Sequence, residues 1–174
     1  MRVIWIFICG LLMGCSGEKS GGNAVQVNTV DAGNISDPAQ LPVTGRAVFT
    51  GSTSLDLPIA NGPVDGKLDM TVIFAPSDAP VTGRIYDIDG SSGVLTIANG
   101  DLFRDSDPDD DYVFAADLTG NLTRGGQTYG VDGGLSGDLR GRNQSNIIGV
   151  IYGDVTGPDG TALISGTFAA DRSN

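Results

Sequence analysis

The segment DSDPDDD places carboxylates at Asp105, Asp107, Asp109 and Asp111, and the first three stand at the alternate spacing of the leading ligands in a calcium loop. Hard oxygen donors spaced in this way can wrap a single cation. The remainder of such a loop is missing: Pro108 stiffens the middle, Asp110 stands where Gly makes the sharp turn, and Ala116 takes the place of the twelfth-position Glu. The two readings are a weak calcium site and a solvated acidic hairpin loop, and the departures favour the loop. Other chemistry is thinner still. The chain has no His, and its two Cys are Cys9 and Cys15, so imidazole-based and nucleophilic catalysis lack their parts. No nucleophile-elbow or phosphate-loop pattern occurs. Aspartate pairs can act as acid and base, but position singles none out. A protein that is not an enzyme and needs no cofactor is expected.

A different set of residues points to binding. The longest expected inter-strand loop, STSLDLPIANGP (Ser52 to Pro63), holds Leu55, Leu57 and Ile59. Exposed apolar groups of this kind mark a partner site. Alternatively they fold over the mouth of whatever the strands build and plug it. Both readings stand at this point.

Cys15 has the most specific context in the chain. An apolar run, VIWIFICGLLMG, follows Met1 and Arg2; it is too short to span a bilayer as a mature helix but the right size for a signal-peptide core. Its end, Leu12-Met13-Gly14-Cys15, resembles the bacterial lipobox, in which the chain is cut before a lipid-modified Cys. Cys9 competes poorly, because Ile8 is too bulky for the cleavage position and the preceding core is too short. The expected anchor is therefore a covalent lipid on Cys15, with residues 1–14 as the lipoprotein signal peptide. Cut there, the mature chain keeps no thiol for a disulfide or a metal. Ser16, rather than Asp, follows the Cys, which under the Gram-negative sorting rule implies the outer membrane. Residues 15–42 lack sustained periodicity and are rich in Gly, Ser, Asn and Pro, so they read as a flexible tether reaching roughly 30 Å.

The elements that must carry these groups follow from composition. The acids number 21, and Glu18 is the single Glu among them. Asp favours turns where Glu favours helix, and with 27 Gly in the chain long helices are not expected. A net charge of −11, with ten basic residues scattered singly, excludes a nucleic-acid partner. From residue 43 onward, period-2 alternation is nearly continuous. Val64, Leu68, Met70, Val72 and Phe74 share a row against Asp65, Lys67, Asp69 and Thr71, and Ile147, Gly149, Ile151, Gly153 and Val155 share another. Many strand glycines stand in the apolar row, where a missing Cβ lets a strand coil and leaves room for a bulky neighbour.

The pattern predicts eight strands, near 43–51, 64–75, 80–89, 92–99, 112–123, 127–141, 146–157 and 160–171. Short links favour antiparallel neighbours, and closure removes exposed edges. The predicted fold is all-β, an eight-stranded antiparallel up-and-down β-barrel over residues 43–172, soluble and following a lipidated tether. A membrane-spanning small barrel alternates too, with its apolar row outward. Against it stand the glycine-rich apolar row, the nine aromatics left after cleavage and the non-aromatic C-terminus AADRSN.

The segment GDLRGRNQSNIIGVIYG, Gly137 to Gly153, resembles the glycine-spaced signature of the barrel domains in transferrin-binding-protein-B-like surface lipoproteins, which are akin to the factor H binding protein barrel. Gly137, Gly141, Ile147, Gly149, Ile151 and Gly153 carry the match, while Leu139 and Gln144 depart from it. GTALISGTFAADR is similar to that family's closing strand, and VTGRAVFTG to its first barrel strand. Because the matching residues pack rather than bind, the resemblance implies a fold and a class. That class is an outer-membrane lipoprotein, held through its lipid on the periplasmic or surface face, monomeric, with an unidentified protein or solute as its ligand. A structural envelope lipoprotein without a ligand is the alternative.

Overall fold

The computed structural model describes residues 34–105, 107 and 112–173. Its strands are β1 (Arg46–Asp56), β2 (Val64–Ile73), β3 (Val81–Tyr86), β4 (Ser92–Leu102), β5 (Phe114–Arg124), β6 (Gln127–Arg140), β7 (Asn146–Gly157) and β8 (Gly160–Ser173). Each pairs antiparallel with the next, and β1 pairs with β8, closing the eight-stranded barrel that the alternation predicts. Closure gives every strand a neighbour on both sides.

The apolar rows face inward, and their large side chains and small residues alternate in a checkerboard. Phe114, Gly137, Gly149 and Phe168 lie opposite one another across β5, β6, β7 and β8. With no Cβ on the two central residues, the flanking rings meet over them, their centroids 6.2 Å apart. Two residues along the strands the order inverts: Ala116, Leu135, Ile151 and Gly166 form the next row. The third, Leu118, Gly133, Gly153 and Ile164, again has its glycines in the middle. Large groups of one row thus fall over the small groups of the next, which fills the interior of a barrel this size.

Charge lies on the other face. Asp65, Lys67, Asp69, Arg84, Asp117, Asp132 and Asp154 all project outward from the wall. A membrane-spanning barrel has the opposite arrangement, so that alternative is overturned.

Three of the differences from the sequence reading bear on the site. β1 starts three residues later than Val43 and runs five past Gly51, so Ser52–Asp56 is strand rather than loop. Its Ser and Thr residues read locally as a turn, but Gly51, Thr53 and Leu55 continue the inward row against Ala170, Phe168 and Gly166 of β8. β4 continues to Leu102 through a bulge between Ala98 and Asp101, where Asn99 takes a left-handed φ of 51°, a conformation Asn tolerates better than most residues. The third difference concerns the tether, because Asn34–Pro42 is docked on the barrel. β6 overhangs the start of β5, and the freed backbone of Leu139–Gly141 is taken up by the incoming chain. Ser36 N donates to Leu139 O at 2.8 Å, and Gly141 N donates to Asn34 O at 3.2 Å.

That segment then closes the barrel end. Asp37 caps a single 3-10 turn, Pro38–Gln40, and Leu41 is buried behind it. Arg104 holds the plug in place, its Nη1 donating to Leu41 O (3.0 Å) and its Nη2 to Pro42 O (2.6 Å) and Phe74 O (2.7 Å). Bonds from a charged donor are stronger than neutral ones, and losing this one leaves three carbonyls without it. Arg104→Met is expected to cost about 2 kcal/mol in urea unfolding, with faster amide exchange at Leu41. Unchanged exchange there would show that the plug holds without the guanidinium.

Candidate functional site

With the centre filled, the outer wall and the barrel ends are left for recognition. On the wall, β2 and β3 pair Asp69 with Arg84 and Lys67 with Tyr86, and alternation turns all four outward. The pairs interlock. Arg84 donates to Asp69 Oδ2 through Nε (3.0 Å) and Nη2 (2.7 Å), while Tyr86 OH donates to Asp69 Oδ1 at 3.3 Å. Arg84 Cζ lies 4.6 Å from the Tyr86 ring centroid, and Lys67 Nζ lies 6.0 Å from it. Lys67 also donates to Asp87 Oδ2 at 2.8 Å.

The electrostatics follow from these contacts. The hydrogen bond that Arg84 donates to Asp69, and then the charge of Asp69, hold the Arg84 guanidinium above its ordinary pKa. The hydrogen bond and charge of Asp87 do the same for the Lys67 ammonium. Both cations therefore stay charged throughout the physiological range and serve neither as acid nor as base. What the cluster offers is a Tyr and an Arg, the residue types enriched where binding energy concentrates, held in fixed orientation on paired strands. The sequence reading placed Lys67 and Asp69 on the wet side of a strand and gave Arg84 and Tyr86, in the strand predicted near 80–89, no face. The i, i+2 spacing of Arg84 and Tyr86 against Lys67 and Asp69 was the available signal, and its meaning required the register.

The residues singled out from the sequence fall in several places. Leu55 is an inward residue of β1 and Leu57 follows it into the β1–β2 connection, both 0% exposed. Ile59 is partly buried and packs against the same core. These side chains, with Ile88, close the barrel end away from the N-terminal plug and form no surface patch. The expected loop began too early, which made strand residues look like loop residues. Asp105 and Asp107 are exposed on the β4–β5 connection. Asp109, Asp111 and Cys15 lie outside the described residues. Among the described residues, no three His, Cys, Asp or Glu side chains are grouped to hold a metal ion.

No protein-family model and no curated protein matches the chain. Among solved structures, it is similar to a mutant of the vaccine antigen Transferrin Binding Protein B from Haemophilus parasuis Hp5, with a TM-score of 0.52 and 15% identity over 80% of this chain. The chain spans 28% of that protein's length. A double mutant of the same antigen aligns with a TM-score of 0.48, again at 15% identity. The likeness is one of fold, and it extends the resemblance carried by Gly137–Gly153 to the barrel backbone.

Proposed function

We propose that the chain is an outer-membrane lipoprotein, anchored through Cys15, whose barrel is a non-enzymatic module that binds a protein partner on its outer wall. The observation that carries this reading is the filled interior. Phe114, Leu135, Ile151 and Phe168 occupy the centre, while Leu57 and Leu41 cover the two ends. A carrier of small apolar ligands needs the space that these side chains take, so recognition falls to the exterior. The fold likeness to a transferrin-binding antigen supports a protein as the ligand class. The Tyr86–Arg84 cluster is the surface assigned to it.

Affinity capture tests the proposal. The barrel, immobilised and presented with serum, conditioned medium and envelope extract, is expected to retain a discrete protein. Arg84→Ala combined with Tyr86→Ala is expected to weaken that capture roughly 30-fold, about 2 kcal/mol, with little change in melting temperature. Retention of nothing from any source would instead favour a structural envelope lipoprotein. The anchor is read separately, from the mass of the N-terminal peptide of protein purified from membranes.

A further inference from the structure

One corner of a barrel end gathers charge opposite in sign to the chain as a whole. The net charge is −11, yet Arg46, Arg142 and Arg172 line one groove of about 830 Å³ together with Asn143, Ser145 and Ser173. Three separate elements bring them together. Arg46 opens β1, Arg172 lies near the end of β8, and Arg142 sits in the β6–β7 turn. The turn is tied to β8: Arg172 N donates to Ser145 O at 2.8 Å and Arg172 Nη1 to Asn143 O at 2.9 Å.

The cations elsewhere on the described residues are occupied. Lys67, Arg84 and Arg140 face aspartates, while Arg104 and Arg124 are bonded to carbonyls. Among the described residues, Arg46 and Arg142 engage no carboxylate, and both are exposed. Two guanidinium groups with no carboxylate partner among the described residues, beside a third, form a receptor for an anion with several oxygens, because the planar fork matches phosphate.

The position of the groove indicates where that anion would come from. Gly141, the residue before Arg142, is bonded to Asn34, so Asn34, the first described residue, lies at the rim of the groove. Nineteen residue steps separate Cys15 from Asn34, a span of at most about 65 Å. The closing order of the strands sets the β4–β5 connection, with Asp105 and Asp107, across the mouth from β8 and β1. The end nearest the expected anchor thus has a basic side and an acidic side.

We propose that the Arg46–Arg142–Arg172 groove docks the phosphate headgroups of anionic membrane lipid, turning this corner of the barrel toward the bilayer. The inference rests on the lipid-anchor reading for its geometry, and the test is arranged so that the two can fail separately. Starting at Cys15, the chain carries a single thiol, which can be coupled to a maleimide lipid in nanodiscs whether or not cells lipidate it. In discs containing phosphatidylglycerol, reaction of Arg46 and Arg142 with an arginine-selective dicarbonyl is expected to slow about fivefold or more relative to discs of phosphatidylcholine alone. Amide exchange across residues 142–145 should slow with it. Arg46→Ser with Arg142→Ser is expected to abolish the difference in exchange between the two lipids. Equal labelling and exchange in both lipids would overturn the proposal. So would inorganic phosphate producing the same protection in phosphatidylcholine discs, since the site would then serve a free anion. Failure of the anchor reading would appear only in the mass of the native N-terminal peptide.

Discussion

Gly149→Ala is expected to destabilise the barrel by about 3 kcal/mol, an unusually large effect for the addition of one methyl group. A Cβ at this position would be driven into the Ser136 carbonyl on one side and the Phe168 ring on the other. The backbone at Gly149 needs no left-handed geometry, so the cost is one of space. The midpoint of urea unfolding measures it, with Gly130→Ala as the control. At Gly130 a Cβ would meet its nearest neighbour, Asn121 Oδ1, at 3.7 Å, and that substitution should stay within about 0.5 kcal/mol. Adding Phe168→Leu to Gly149→Ala should recover part of the loss, because the ring can be shortened and the carbonyl cannot. If Gly149→Ala and Gly130→Ala cost the same, the alternation of large and small residues is not what packs this core.

The second large effect is at the opposite end. Leu55→Ala and Leu57→Ala are each expected to cost about 3 kcal/mol, in the range for leucines truncated in a closed core. Leu55→Ser combined with Leu57→Ser also buries two hydroxyls and should approach the whole stability of a domain this size, leaving little folded protein at ambient temperature. Leu57 is the sharper test. It stands outside β1, in a connection, where truncation of a surface residue would cost almost nothing. A pair of Ser variants that melts like the parent but loses a captured partner would return these leucines to the surface.

Both effects trace to residues that the sequence singled out, though not with equal clarity. Gly137, Gly149 and Gly153 were legible as strand glycines in an apolar row, because period-2 alternation tells which face each side chain joins. That Gly137 lies opposite Gly149 beneath the rings of Phe114 and Phe168, and Gly153 opposite Gly133 between Leu118 and Ile164, depends on the β6–β7 register and on where β5 and β8 fall against it. Leu55 and Leu57 were legible as apolar residues needing cover. Whether the cover was a partner or the protein itself could not be read locally, since Ser52–Asp56 becomes strand only through pairing with β8, more than a hundred residues away.

By itself, the sequence determined the face of nearly every strand residue, the number of strands, the antiparallel order and the need for closure. These follow from alternation, short turns and the cost of unpaired edges, and each acts between neighbours in the chain. The tertiary structure alone decided that Asn34–Leu41 seals one mouth under Arg104, that Tyr86 lies beside two paired cations, and that Arg46, Arg142 and Arg172 share one groove. Each joins residues brought side by side only when β1 meets β8 or when a strand end overhangs its neighbour. Register and closure set those distances, and neither leaves a period in the sequence.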